Sequence, residues 1–556
     1  MTAPVRIGGG SAFFIDSAMA VPQLLGAGVD YIILDYLAEG AMGLLGRMRV
    51  ADPASGFPSD FMDVHIGPFL GQIAATGTKF IANAGGVNPA DLATIVRARV
   101  AELGLDLKIA CIAGDDLMGH PFPELPTSGV TSINAYLGAF PIASALGQGV
   151  DIVITGRVVD SALALGPLIH EFGWGPRDFT QLAGGTVAGH LIECGAQVTG
   201  GTFTDWRAVE GWANIGSPIA ECFADGTCVI TKPDGTGGLV NIGTVSEQML
   251  YEVGDPQCYF VPDVTCDFSN VSLAQVGENR VHVSGATGYP PTDTLKVCGT
   301  FDHGWRTIAY QPVIGPAALE KAAKQAEAMF ERGRMMLRGR NLGDWRRAEA
   351  VMIGSSEEVI AKLVVEHDEI LAVQMFAREQ FSAISAMAPG TSVAFGVQVQ
   401  PVMGMVSFLV PKADIVATVD GIALAGETVS GFDPAMVLRP EFPAAKPANG
   451  SLERYLESLA FTRSGEKGET INIAVIARKP EYLPSLRAAL TETAVATWFA
   501  DLFEGEAQVT VYDVPGIHAI NIVLDGALPG GINASQRLDP AAKSIGQRLL
   551  HFPVKA

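Results

Sequence analysis

Five short apolar runs, each containing or leading into glycine or polar side chains, constrain this fold most. They are VRIGGGS (5–11), DYIILDYL (30–37), KFIANAGG (79–86), LKIACIAGDD (107–116) and DIVITGRVVD (151–160). Helical stretches lie between and after them. One opens at Asn88-Pro89, with proline at the first helical position, and another is SALALGPLIHEF (161–172). Apolar runs bounded by turn formers and alternating with helices predict a parallel sheet covered on both faces. Such sheets take ligands outside the carboxyl ends of their strands. Here those ends carry Gly8–Ser11, Asp35 and Glu39, Asn83, Asp115 and Asp116, then Arg157 and Asp160. Aspartate and asparagine also serve there as caps and turn formers. Arginine is neither, which marks Arg157 as a carboxylate anchor.

The stretch GHLIECGAQVTGG (189–201) gathers chemically versatile side chains at one helix end. His190 and Glu193 are three apart and share a face. Cys194 is a candidate nucleophile, but a helix carboxyl end raises a thiol pKa, so acid/base chemistry ranks above covalent catalysis. Glu193 or His190 is expected to move a proton, helped by Asp115 or Asp116, whose mutual repulsion would raise one carboxyl. The expected binding residues are Ser11, Asn83, Arg157 and Asp160, with Lys232, Gly235 and Gly237 of the loop KPDGTGG (232–238). That loop lacks the GKS or GKT of a P-loop, and a hairpin turn with an exposed lysine explains it equally. If it binds, Arg157 and Lys232 face one cavity. His190, Glu193, Asp115 and Asp116 would also suit a divalent ion, although no spacing marks a dedicated metal site. The cofactor is left open.

Composition narrows the partners. Lys and Arg number 37 against 59 Asp and Glu, a formal charge of −22. That argues against nucleic acid and against an anionic membrane surface. Apolar residues at 48% and charged ones at 17% predict surface buried between subunits, hence a homo-oligomer. The first residues lack the pattern of a secretory signal, and no apolar run reaches the ~18 residues of a membrane span. Seven scattered cysteines with no CxxC pair fit reduced thiols in a cytoplasm. GGGSAF lacks the third fingerprint glycine of a nicotinamide dehydrogenase.

The predicted fold class is α/β, in two units. Residues 1–445 form a parallel-sheet main domain with a β-rich insertion at about 218–310. Residues 446–464, which follow a proline-rich segment, are the linker. Residues 465–556 alternate strand and helix as a small α+β ferredoxin-like domain. Its loop region RSGEKG (463–468) combines two cations with backbone freedom, which suits either a carboxylate or phosphate site or a mobile linker end.

The chain resembles the acyclic terpene utilisation (AtuA-like) family. The resemblance rests on NAYLGAFPI (134–142), DIVITGRVVDSALALGPLIHEFGW (151–174), LAGGTVAGHLIECGAQVTGG (182–201), ITKPDGTGG (230–238), MLYEV (249–253), RSGEKGETINIAVIAR (463–478), PGIHAINIVLDGALPGG (515–531) and SQRLDPAAK (535–543). It implies a main domain followed by a ferredoxin-fold domain. It also implies a role in breaking down branched acids carried as coenzyme A thioesters. Two functions fit. One is an enzyme acting on a carboxylic acid or acyl-CoA by hydration, C–C cleavage or hydrolysis. The other is a non-catalytic accessory protein binding an acyl-CoA intermediate or a biotin carboxylase partner. The first loop, GGGSAFF, departs from the family's GxGxGF-like run.

Overall fold

A computed structural model describes residues 3–424, 427–439 and 453–555. The five apolar runs form β1 (Val5–Gly9), β2 (Tyr31–Leu34), β3 (Lys79–Ala82), β4 (Ile109–Ala113) and, beyond β5 (Val130–Ala135), β6 (Ile152–Thr155). They lie parallel in the order β1-β2-β3-β6-β4. Alternation divides their side chains between two cores. Ile7, Ile33, Ile81 and Val153 pack on one face. Ile32, Leu34, Phe80 and Ile154 pack on the other. With both faces covered, the polar strand ends are left at one edge, above the sheet.

The β-rich stretch is not a separate insertion. β7 (Ile219–Cys222) pairs antiparallel with β1, and β8 (Cys228–Thr231) pairs with β7. The hairpin of Ser272–Gly277 and Arg280–Ser284 continues the same sheet beyond β8. The long strand Thr294–Ile314 instead belongs to a second sheet, flanked by β5, Glu358–His367 and Phe395–Pro411. Because β5 crosses to that strand, the second sheet stands over the carboxyl edge of the first and supplies a wall there.

The carboxyl-terminal unit is a four-stranded antiparallel sheet in the order Ala460–Lys467, Thr470–Ala477, Ala519–Asp525, Gln508–Val514. It has its own core of Ile471, Ile473, Leu486, Phe499, Ile522 and Leu549. The expected linker at 446–464 lies partly outside the described residues. Its later part is not linker, because Glu453–Tyr455 pairs with Pro553–Lys555 and Ala460 opens the first strand of the sheet.

The unit docks on the main domain through a second apolar cluster of Leu250, Ala474, Ile476, Val514, Ile517 and Ala519. Paired amides also hold it. Asn472 donates to Leu250 O at 2.6 Å and accepts from Glu252 N at 2.8 Å. Asn521 donates to Val253 O at 2.7 Å and to Gly254 O at 2.6 Å. Arg463, one of the two cations of RSGEKG, is used in this joint, donating to Thr202 and to Gln197 Oε1.

Candidate functional site

The strand ends of β2, β3 and β6 build the centre. Asn83, just past β3, donates from Nδ2 to Asp35 Oδ1 at 2.6 Å and accepts from Tyr36 N at 2.7 Å. Asn83 thus fixes Asp35, just past β2. Ser11 donates to Asp35 O at 2.9 Å and ties the end of β1 to the end of β2. Burial pushes Asp35 well above the usual carboxylate range. Asp160 and Glu193 push the same way, against Arg157.

Arg157, past β6, is 1% exposed. Its Nη1 donates to Leu37 O at 2.6 Å and to Asp160 Oδ1 at 2.8 Å. Its guanidinium lies 4.1 Å over the Tyr136 ring. Nε and Nη2 are buried without a hydrogen-bond partner. Burial alone would weaken the cation, but Tyr136, Asp160, Glu39 and Asp35 hold its pKa above the ordinary value. Glu39 accepts from Tyr136 Oη at 2.7 Å and from Lys296 Nζ at 2.9 Å. Burial would raise this carboxyl, yet Lys296, Lys467 and Arg157 hold it well below its ordinary value.

The helix Phe179–Ile192 carries the second half. Gly9 lets its end approach, because a Cβ there would stand 2.0 Å from Ile192 O. His190 Nδ1 and Glu193 Oε1 are 3.0 Å apart, as their spacing predicted. His190 Nε2 and Glu193 Oε2 are buried and unpartnered. Tyr259 and Phe268 flank the imidazole, with ring centroids 5.6 and 6.3 Å away. Burial raises the Glu193 carboxyl, against the pull of His190. Cys194 is a poor nucleophile here: burial, Glu193 and Glu252 all push its thiol well above 9.0.

Three expectations need correction. Asp115 and Asp116 do not act as a pair. Asp115 accepts from Arg157 N and from Asn134 Nδ2, each at 2.8 Å, and so pins the turn that presents Arg157. Its pKa is raised to about 6 mainly by burial, with Asp116 a minor contributor. Asp116 points outward to Arg49 at 2.8 Å. Hence the nitrogen and oxygen ligands expected for a divalent ion do not converge. Among the described residues no three His, Cys, Asp or Glu side chains stand close enough to share one.

Lys232 is also elsewhere. It follows β8, five strand spacings from β6 along the sheet, roughly 24 Å. Its Nζ donates to Thr236 O at 2.7 Å, within its own loop. Gly235 is the open tip of that turn, and Gly237 packs against Gly211. The loop is no hairpin either, because it leads from β8 into the helix Ile242–Met249 and folds back on itself through the Lys232–Thr236 contact.

The second cation comes instead from the carboxyl-terminal unit. Lys467 Nζ lies 3.7 Å from Asp160 Oδ2 and 3.5 Å from Glu252 Oε2. Enclosure alone would lower its pKa, but Asp160, Glu252, Glu39 and Tyr259 hold it well above the ordinary value. Sequence reasoning left Lys467, Glu252, Tyr136, Lys296, Asp35 and Glu39 off its list of site residues. Several were in view: Tyr136 sits in NAYLGAFPI, Glu252 in MLYEV and Lys467 in RSGEKG. An apolar cleft of about 490 Å³ lined by Leu137, Phe140, Leu295, Ile415 and Leu424 is a separate feature. Leu295 neighbours Lys296 on one strand, so the two side chains point to opposite faces.

Comparison with known proteins agrees with this division of the chain. Residues 5–420 match the model described as acyclic terpene utilisation family protein AtuA. Residues 454–555 match the AtuA ferredoxin-like domain. No curated protein matches the chain. No helix among the described residues is long and apolar enough to cross a membrane.

Proposed function

The chain belongs to the acyclic terpene utilisation family, and from that premise we propose that it is an enzyme acting by acid/base chemistry on a branched organic acid or its acyl-CoA thioester. The observation that carries this reading is the pair of unpartnered donors on buried Arg157. A buried guanidinium with open N–H groups suits a carboxylate or a developing enolate or oxyanion, and water exclusion strengthens that contact. His190 is the proton carrier in this reading. Glu193 holds Nδ1 and leaves Nε2 free to face a reacting atom. Asp35 is a second proton-holding group, positioned by Asn83. The chemistry available is that of a lyase or hydrolase: hydration, C–C cleavage or thioester hydrolysis. A homo-oligomer working in the cytoplasm completes the proposal.

The test is turnover of a panel of branched enoyl-CoA, hydroxyacyl-CoA and free hydroxyacid compounds, with and without added divalent metal. We expect one class to be consumed by the wild type and not by His190→Gln. Binding without turnover across the whole panel would favour the accessory role over the enzyme.

A further inference from the structure

We infer that the carboxyl-terminal domain is part of the binding site, with Lys467 sharing the ligand's anionic group with Arg157. This rests on the proposed acid or thioester ligand and names how that ligand is held.

Four observations support it. The first is placement. Lys467 and Thr470 are the paired residues that close the hairpin of Ala460–Lys467 and Thr470–Ala477. Gly468 takes the first turn position with φ +66°, the conformation glycine supplies in a two-residue turn of this kind. The lysine therefore stands at the tip of a rigid element rather than on a loose end. The second is aim. Every group that acts most strongly on it, Asp160, Glu252, Glu39 and Tyr259, belongs to the main domain.

The third is unfinished pairing. The ion pairs to Asp160 and Glu252 are 3.7 and 3.5 Å long, and 40% of the side chain is open to solvent. At those distances the ammonium sits beside two carboxylates without a close hydrogen bond to either, and it has donors to spare. The fourth is a shared partner. Asp160 places one oxygen on Arg157 and the other toward Lys467. The two cations therefore flank one carboxylate, and Arg157 Nε and Nη2 are buried on the same guanidinium without a partner. A ligand carboxylate or thioester oxygen would complete both.

A purely structural role for Lys467, as an ionic staple between domains, competes with this reading. The staple is already supplied elsewhere, by Asn472, Asn521 and Arg463. Glu252, meanwhile, keeps a left-handed backbone with φ +58° while reaching toward the lysine. A non-glycine residue held in that region stores strain, which clusters at ligand sites.

The experiment uses the full chain and two probes, isovalerate and isovaleryl-coenzyme A, with affinity read by calorimetry and stability by thermal unfolding. Lys467→Met should weaken whichever probe the wild type binds by about ten- to hundredfold, the loss of one charged hydrogen bond. Its unfolding temperature should stay close to wild type, and Lys467→Arg should restore most of the affinity. Arg157→Lys should also weaken binding. If Lys467→Met binds as tightly as wild type while Arg157→Lys does not, the lysine is no ligand contact and only the Arg157 anchor survives. A staple would lower the unfolding temperature and leave affinity unchanged. Failure of the wild type to bind either probe would remove the acid reading and this inference together.

Discussion

At the scale of single residues, the centre is a set of ionisable groups, several of them moved from their ordinary titration range by burial or by neighbouring charge. Asp115 gives the cleanest pH signature. Its folded pKa of about 6 exceeds the ordinary 3.8. The folded state therefore holds the proton more tightly, and losing that proton disfavours folding. Below about pH 4 it has no effect; as pH rises through about 6 it withdraws up to about 3 kcal/mol. Denaturant unfolding of Asp115→Asn across that window should show a flatter pH dependence than wild type. Arg157 gives the opposite experiment. Arg157→Met strips Asp160 of its close cation and leaves Leu37 O unpaired. A loss of about 3 kcal/mol is expected, seen as an earlier denaturation midpoint. The sequence identified Arg157 because arginine caps nothing. It concealed the difference between Asp115 and Asp116, because adjacent carboxylates on a strand end point to opposite sides.

Elements position these groups through close backbone approach. The end of β1 and the end of the helix Phe179–Ile192 meet at Gly9. Gly9→Ala would drive a methyl into Ile192 O and displace the turn that carries His190 and Glu193. We expect a clear fall in unfolding temperature and loss of ligand binding. Gly26→Ala, on a helix where a Cβ meets nothing within 4 Å, should be neutral or slightly stabilising. The parallel strands and most helices were legible because apolar period and turn residues act locally. The fate of the β-rich stretch was not. Whether a short alternating run starts a new sheet or extends an old one depends on a partner far along the chain, as β7 does on β1. Lys232 was misplaced for the same reason. A glycine-rich loop announces flexibility, but its distance from Arg157 is set by strand order, which no local pattern encodes.

The whole molecule works as one body because its second unit is bound by both apolar surface and amides. Asn521→Ala would leave the carbonyls of Val253 and Gly254 without their donor. It should lower the unfolding temperature and raise hydrogen exchange around Tyr251–Gly254, measured by mass spectrometry. The tip lysine also has a consequence in time. Glu39, Asp160 and Glu252 leave the ribosome well before Lys467, which lies 215 residues beyond the last of them. At ordinary synthesis rates that gap lasts on the order of tens of seconds. Through that interval the nascent main domain holds a group of carboxylates without the counter-charges of Lys467 and Lys543. The last stretch of synthesis therefore closes the cleft, and a truncated product would carry the family's main fold with a cleft lacking its second cation.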